Sequence, residues 1–269
     1  MYKHILLHHH IFKNAGSTVI SILERNFRER FATFEPEELI TASKLFNFIE
    51  SNGVIAVSSH NFNTRFYSDY RNNSFEGRHV LIDMVLLRHP IDRIASIYRF
   101  GRAGIDDPDP LCQLAKKYNF SDFLRCLFYE FPYQVNDVQV NLFANFGYYS
   151  YPPSNLDLSI AKERMMRFAL LGLVDKFNDF SVRCEYFLRS IFGNIDFSNI
   201  PQNTTSDPNV ALKNRLDEVR RNCDGVIYEK LEEFNQLDVS LYQAAVVECN
   251  RRDAIIPKPD SLLGHGLTI

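Results

Sequence analysis

The run from His79 to Leu87 is the feature that most constrains how this chain can fold. Its residues are apolar at nearly every position and do not alternate with polar ones. A strand of this kind has to be buried on both faces, as strands of parallel sheets are. The run ends at Arg88-His89-Pro90, and proline is favoured at the first position of a helix. The pattern predicts a buried parallel strand followed directly by a helix.

The N-terminus has the same order of elements. Residues 4–11 predict a second buried strand, residues 13–18 interrupt it, and Val19 to Phe27 carry apolar side chains at helical spacing. Shorter strands are predicted at Gly53–Val57 and Leu170–Val174. Further helices are predicted at Glu37–Ile49, Leu111–Lys117, Ser121–Phe131, Asn136–Phe146, Leu156–Phe168, Asn178–Phe192, Val210–Cys223 and Val239–Arg252, with a loop at Gly101–Pro110.

Strands that alternate with helices predict an α/β fold. We expect a central, mainly parallel sheet flanked by helices in three layers, with a helical C-terminal half. The chain has 269 residues, 45% of them hydrophobic, which fits a single domain over residues 1–269.

Composition and charge exclude several classes of protein. A net charge of −3 argues against a general nucleic-acid binder. Five cysteines without a CxxC pair indicate free thiols in a reducing compartment. No signal peptide or membrane span is visible, so we expect a soluble, cytoplasmic protein, although removal of an N-terminal anchor would leave the same pattern. The oligomeric state stays open.

The turn at residues 13–18 lies between a strand and a helix. The free N–H groups and partial positive charge of a helix N-terminus suit such a turn to phosphate or sulfate. Gly16 permits close backbone approach, Ser17 and Thr18 supply hydroxyls, and Lys13 supplies a cation. The alternative is an ordinary turn with a serine cap and a solvated lysine. It is not a Walker A loop, which needs Lys directly before Ser or Thr.

A second candidate turn begins at Arg88, at the C-terminal end of the strongest strand. Ligands bind at this end of α/β sheets, and a guanidinium can bind phosphate through two hydrogen bonds. Ser96 lies two helical turns further and can face the same anion, while Arg93 and Tyr98 can add a cation and an aromatic edge. The alternative is a capped helix with surface arginines.

Together these turns resemble the sulfotransferase superfamily that uses 3′-phosphoadenosine 5′-phosphosulfate (PAPS), in its carbohydrate branch of heparan and uronyl 2-O-sulfotransferases. Residues 11–18, Ile-Phe-Lys-Asn-Ala-Gly-Ser-Thr, resemble its 5′-phosphosulfate loop, and residues 88–98 resemble its 3′-phosphate motif. Phe12 stands where many relatives have proline, and residues 14 and 15 vary the usual pattern. Three later segments are similar to family segments: Asn136–Phe143, Leu171–Phe177 and Leu237–Tyr242.

The resemblance implies a P-loop-like fold and transfer of a sulfuryl group from PAPS to a hydroxyl or amine, with a carbohydrate as the expected acceptor. It implies that Lys13 stabilises charge on the leaving oxygen and that no metal is needed. The residues it assigns to the donor are Lys13, Asn14, Ala15, Gly16, Ser17, Thr18, Arg88 and Ser96.

His60 follows the Gly53–Val57 strand and resembles the catalytic histidine of the same branch. Histidine titrates near neutral pH and suits removal of a hydroxyl proton. The alternative is a strand-end histidine that bonds to backbone. Of His8, His9 and His10, at least one is expected beside the donor; a zinc site from three consecutive residues is disfavoured because neighbouring strand side chains point to opposite faces.

Two other functions stay open. The first turn could serve as the degenerate P-loop of a nucleotide kinase or NTPase, or the chain could be a non-catalytic binding protein with a sulfotransferase fold. Preference for Mg-ATP over adenosine 3′,5′-bisphosphate would favour the kinase. For an acidic glycan, the candidate basic residues are Arg65, Arg71, Arg99 and Arg102.

Overall fold

Five parallel strands form the sheet of the computed structural model, which describes residues 3–38, 40–62, 79–104, 108–149, 151–198 and 210–256. The strands are β1 (Lys3–His9), β2 (Phe31–Thr33), β3 (Ala56–Ser59), β4 (His79–Leu87) and β5 (Leu170–Leu173). Their order in the sheet is β2-β3-β1-β4-β5, and every neighbouring pair is parallel. The predicted α/β class is therefore confirmed.

The helices cover both faces of this sheet and continue beyond it. They are α1 (Gly16–Phe27), α2 (Ala42–Asn52), α3 (Pro90–Ala103), α4 (Pro110–Lys117), α5 (Phe120–Glu130), α6 (Val138–Asn145), α7 (Asn155–Met166), α8 (Phe177–Phe192), α9 (Leu212–Arg221), α10 (Gly225–Glu233) and α11 (Gln236–Asp253). In the part of the chain that the structure describes, no helix combines the length and apolarity needed to cross a membrane.

Most predicted helices and strands are present. Some of their ends are shifted, because capping residues set where a helix begins or ends. The strand His79–Leu87 has its predicted bounds, and Pro90 begins α3. The α2 helix starts at Ala42, not at Glu37, because the Thr41 hydroxyl accepts from the Lys44 N–H. Gly53, predicted as strand, instead ends α2 with a left-handed φ of 64°.

Two elements, β2 and α10, were not predicted, and one predicted loop is only partly described. The first residues of Gly101–Pro110 continue α3, and residues 105–107 lie outside the described residues.

The core has three parts. One packs α1, α2 and α8 against one face of the sheet, and another packs α6, α7 and α11 against the other face. A third lies among α3, α4, α5, α9 and α10. This arrangement confirms the predicted helical layers on both sides of the sheet and the helical C-terminal half.

Strand order places both candidate turns at one crevice. From β1 the chain passes to β2 on one side of the sheet, while from β4 it passes to β5 on the other side. Since β1 and β4 are neighbours, the order reverses between them, and ligands of α/β sheets bind outside the carboxyl ends at such a point. Residues 10–15 and Arg88 leave the sheet at this crevice.

Candidate active site

The first turn is held in a tight and unusual backbone conformation. Lys13 and Ala15 both have left-handed φ values, 66° and 62°, which are uncommon for residues with a side chain. Asn14 between them is buried: its N–H donates to the Ile11 carbonyl at 3.0 Å, and its Nδ2 donates to the Leu86 carbonyl at 2.9 Å. Asn14 therefore fastens the turn to the end of β4.

The turn leads into a helix N-terminus that no side chain caps. Ala15 is the N-cap of α1, and its carbonyl accepts the Val19 N–H at 3.1 Å. Helix geometry leaves the preceding N–H groups, on Gly16, Ser17 and Thr18, without partners inside the helix. With the helix dipole they form a group of donors suited to a phosphate or sulfate.

Arg88 connects the two turns. Its NH1 donates to the Lys13 carbonyl at 3.0 Å, and its Nε donates to the Asp92 carboxylate at 2.7 Å. Burial alone would raise the pKa of Asp92, but the guanidiniums of Arg88 and Arg215 outweigh it and hold that pKa below its ordinary value. Asp92 is thus a buried carboxylate that positions Arg88 at the crevice.

Asp92 is surrounded by more positive charge than it can neutralise. Arg215 of α9 contacts both of its oxygens, at 3.1 and 3.2 Å, and the Arg99 NH2 lies 3.6 Å away. Asp92 faces three guanidiniums, and the Glu218 carboxylate also acts on Arg99, so the buried cluster holds more guanidiniums than carboxylates. Ser96, 1% exposed, lies one helical turn from Asp92 on the same face of α3.

Within this cluster of described residues, Arg99 is the residue whose guanidinium donors lack hydrogen-bond partners. Its Nε and NH2 are shielded from solvent and have no hydrogen-bond partner among the described residues. Buried donors are normally hydrogen-bonded. A guanidinium edge that makes no hydrogen bond, and whose ion pair with Asp92 is 3.6 Å long, therefore fits an anionic ligand.

Lys13 extends from the first turn over an aromatic ring. Its Nζ lies 3.9 Å from the centre of the Phe100 ring, a cation–π contact. Burial, and then the charge of Arg88, lower the Lys13 pKa to about 8. The ammonium is therefore partly desolvated and close to a second cation, which favours an anion beside it.

Three histidine rings stack beside the first turn. The rings of His10 and His60 are stacked with centres 3.7 Å apart, and His8 stacks on His10 at 5.5 Å. His10 also packs against Gly16, where an added Cβ would lie 1.6 Å from the His10 Nε2. Burial, and then the charges of His60 and Lys13, lower the His10 pKa to about 3. His10 is thus the one of the three consecutive histidines that packs against the first turn, and its place beside a donor stays a prediction.

His60 is exposed at the end of β3, and its backbone is fixed by an acid that the sequence did not single out. The Glu35 carboxylate accepts the His60 N–H at 2.8 Å and lies 3.5 Å from the Ser59 hydroxyl. The side chain of His60 is left to stack on His10. Because His10 also packs against Gly16, the His10 ring separates His60 from the start of α1.

A narrow cleft with a cavity volume of about 30 Å³ opens beside these histidines. His9, His10, Ser59 and His60 line it together with Tyr148. The rest of its lining is apolar: Ile11, Phe62, Val85, Leu142, Phe143 and Phe168. The Tyr148 hydroxyl also accepts the Phe12 N–H at 3.5 Å, so the cleft adjoins the first turn at a second point.

Several residues singled out in the sequence lie elsewhere. Arg93 is 1% exposed and donates to the Gln134 carbonyl, and the Tyr98 hydroxyl donates to the Tyr118 carbonyl. Arg102 is exposed and donates to Tyr98. Neither Arg93 nor Tyr98 bonds to Asp92. Arg65 and Arg71 lie outside the described residues.

The three later segments that resemble the sulfotransferases contact one another. The Tyr242 hydroxyl donates to the Asp175 carboxylate at 2.5 Å. The Asp238 carboxylate accepts the Gln139 and Val140 N–H groups at the start of α6. Through these contacts α11 connects the N-terminus of α6 to the segment that follows β5.

The site contains residues that sequence reasoning missed. Asp92, Arg215, Glu35 and Gln139 received no role, and Arg99 was considered only for an acidic glycan. Asp92 and Ser96 share a helix face with spacing i and i+4, which was a usable signal. Arg215 is 123 residues from Asp92, and no local pattern marks their contact.

Comparison with known proteins leaves the family open. No family model matches the chain. It is similar to an uncharacterized protein of Archaeoglobus fulgidus, with 28% identity over 253 residues that span 91% of this chain and 97% of the relative. The similarity extends over most of both chains. Because the relative is uncharacterized, it indicates no activity for this chain.

Proposed function

We propose that the chain is a PAPS-dependent sulfotransferase that acts on a hydroxyl group of its acceptor. The observation that carries the proposal is the hydrogen bond from the Arg88 guanidinium to the Lys13 carbonyl, which joins the two candidate anion-binding turns at one crevice. The first turn offers helix N–H groups and an ammonium, and the second offers a cluster of guanidiniums. A ligand with two separate phosphate groups matches this pair of sites.

The residues at the first turn fit the 5′ end of the donor. The N–H groups of Gly16, Ser17 and Thr18 would hold its 5′-phosphate, with Lys13 beside the bond that is to break. PAPS supplies a sulfuryl group that is already activated by its bond to a phosphate oxygen. Because the charge moves onto that oxygen during transfer, a desolvated ammonium at this point is worth more than one in water.

The residues at the second turn fit the 3′-phosphate. Arg88 and Ser96 are the residues that the resemblance assigns, and Arg99 and Arg215 add two guanidiniums around Asp92. The unpaired Nε and NH2 of Arg99 can donate to phosphate oxygens. Asp92 holds the cluster together without neutralising it.

His60 is the proposed general base. It would accept the hydroxyl proton as the acceptor oxygen bonds to sulfur and the bond from sulfur to the phosphate oxygen breaks. Lys13 would offset the charge on that departing oxygen. Catalysis in group transfer of this kind is largely positioning and electrostatic stabilisation, as in phosphoryl transfer.

Titration with adenosine 3′,5′-bisphosphate, the desulfated product, tests this function. At about 100 times Kd it should stabilise the fold by about 2.7 kcal/mol, which raises Tm by about 5–10 °C. Turnover is then followed as bisphosphate release from PAPS, for the wild type, Lys13→Ala and His60→Ala. Tighter binding of Mg-ATP would support a kinase, and bisphosphate binding without turnover on any hydroxyl acceptor would support a non-catalytic protein.

A further inference from the structure

A second pocket lies at the opposite end of the sheet from the crevice, where the strands begin. Four parts of the chain meet around it: the start of β1, the C-terminal ends of α1 and α8, and the turn that leads into β2. Its cavity volume is about 360 Å³. Small-molecule sites commonly have volumes of about 300–1,000 Å³, so this pocket is large enough for a small organic ligand.

The charged side chains that line this pocket are cations. Lys3 and Arg30 each contribute a positive charge, and His4 adds an imidazole. None of the described lining residues is Asp or Glu. Among the described residues, the side chains of Lys3 and Arg30 make no hydrogen bond or ion pair. Both cations are therefore available to a ligand.

Negative groups around the pocket reduce this charge but do not cancel it. Glu24 and Glu29 are exposed and do not line the pocket, and the Asp196 carboxylate lies 3.6 Å from the Arg25 NH2. The C-terminal ends of α1 and α8 carry roughly half a negative charge each, about one charge together. The two cations of the lining exceed that charge, so the pocket favours an anion.

The remaining lining of the pocket is mostly apolar. Phe27, Ile55 and Ile195 are buried, Phe192 is half-buried, and Ile191 is 38% exposed. A free phosphate would pair with the cations but would leave this apolar surface in contact with water. A ligand that also has an apolar ring would bury it, which is favourable.

We infer that this pocket is a second binding site, for a small phosphate ester with an apolar ring. Lys3 and Arg30 would bind the phosphate, whose two negative charges match two cations, and the apolar lining would contact the ring. β1 has 7 residues at about 3.3 Å each, so the pocket lies about 20 Å from the crevice. A ligand here is too far away to contact Lys13 or Arg88, and the inference does not depend on the proposed sulfotransfer.

The test is an NMR titration of the full chain, isotope-labelled at its isoleucine methyl groups. The probes are 1-naphthyl phosphate, 1-naphthol and inorganic phosphate. The methyl groups of Ile191 and Ile195 report on this pocket, and those of Ile11 report on the neighbourhood of the first turn. We expect 1-naphthyl phosphate to move the Ile191 and Ile195 resonances with a Kd below about 1 mM, at least about tenfold tighter than either other probe.

Two matched pairs of variants locate the binding. Arg30→Gln removes a cation from the pocket, whereas Arg28→Gln removes an exposed cation of the same turn that does not line it. Ile191→Asp puts a carboxylate into the pocket, whereas Val182→Asp puts one at an exposed position of the same helix. Arg30→Gln should weaken 1-naphthyl phosphate about fivefold or more, Ile191→Asp should weaken it at least about tenfold, and both controls should stay within about twofold.

Three outcomes would overturn the inference. The first is that 1-naphthyl phosphate leaves the Ile191 and Ile195 resonances unmoved, or moves only those of Ile11. The second is that 1-naphthol or inorganic phosphate binds as tightly as 1-naphthyl phosphate. The third is that each variant and its control have the same affinity. None of these outcomes bears on the sulfotransferase proposal, which the titration with adenosine 3′,5′-bisphosphate tests separately.

Discussion

Gln139 and Arg88 are joined by two opposed hydrogen bonds. The Gln139 Oε1 accepts the Arg88 backbone N–H at 3.1 Å, and its Nε2 donates to the Arg88 carbonyl at 2.9 Å. The same Oε1 accepts from the Asn14 Nδ2 at 2.9 Å. One fully buried amide therefore fixes the first turn relative to the second, and the geometry of both candidate anion sites depends on it.

Removal of this amide should affect stability and ligand binding together. We expect Gln139→Ala to lower the free energy of unfolding by about 2–4 kcal/mol, because the Arg88 N–H and carbonyl lose their partner in a buried place. Affinity for the bisphosphate should fall as the two turns separate. Urea denaturation and calorimetry measure these effects. Gln243→Ala, at an exposed position of α11, is the control and should stay within about 0.5 kcal/mol.

Gly16 should not tolerate a side chain. A Cβ there would lie 1.6 Å from the His10 Nε2, and His10 cannot swing freely because the rings of His60 and His8 stack on it. We expect Gly16→Ala to cost about 1–3 kcal/mol of stability, and to move the His10 ring resonances in NMR spectra.

Gly225→Ala is the matched control for that substitution. Gly225 begins α10, and nothing lies within 4 Å of an added Cβ. Alanine there should be neutral or stabilise by about 0.4–1 kcal/mol. Equal effects at the two glycines would contradict the close packing of His10 on Gly16.

Arg99 and Arg102 provide a test of the guanidinium cluster on a single helix. Arg99 lies beside Asp92 with unpaired donors, whereas Arg102 is exposed and bonds to Tyr98. Loss of a hydrogen bond to a charged ligand costs about 1.5–3 kcal/mol, so Arg99→Gln should weaken bisphosphate binding about 10- to 100-fold. Arg102→Gln should leave it within about twofold. Similar affinities for the two variants would contradict the proposed contact between Arg99 and a phosphate of the ligand.

Lys13 should make anion binding dependent on pH above neutrality. Its pKa is lowered to about 8, so the ammonium is charged at pH 7 and largely neutral at pH 9.5. The phosphate charge of the ligand changes little over this range, since its second pKa is about 6. Calorimetry should show affinity falling about tenfold between these pH values. Lys13→Arg keeps its charge and should flatten the profile; a flat profile for the wild type would contradict the lowered pKa.

Local patterns in the sequence predict the framework of the site. The apolar run before Arg88 and the small-residue turn after β1 placed two strand ends correctly, because burial on both faces and turn chemistry are encoded in neighbouring residues. The structure brings Lys13 and Arg88 into contact as strand order requires. The roles of these residues in catalysis stay predictions.

Long-range partners are what the sequence does not reveal. Arg215 reaches Asp92 across 123 residues, and Gln139 reaches Asn14 across 125 residues. Such pairs depend on how helices pack on the sheet, and no single-sequence pattern specifies them. The edge strand β2 was not predicted for a different reason: its three residues, two half-buried and one exposed, are too few to give a helical or an alternating pattern.

Asp137 and Asp238 should make the stability of the fold decrease as pH rises. The two carboxyls cap each other's helices, since Asp137 accepts the Asp238 N–H at 2.7 Å and Asp238 accepts N–H groups of α6. Burial, and then the charge of Asp238, raise the Asp137 pKa to about 8. In the unfolded chain the pKa is about 3.9. Between these values the folded protein holds a proton that the unfolded chain has released, so stability falls with rising pH.

Asp137→Asn separates charge from hydrogen bonding at this position. Asparagine keeps an oxygen that can accept the Asp238 N–H but carries no charge, so most of the pH slope should disappear. Between pH 6 and pH 8 the wild type should lose about 1 kcal/mol or more, and the variant should be the more stable protein at pH 8. Urea denaturation from pH 5 to pH 9 measures both curves, with Asp217→Asn on the exposed face of α9 as the control. Parallel curves for the wild type and Asp137→Asn would show that Asp137 is ionised in the folded protein and that another group sets the slope.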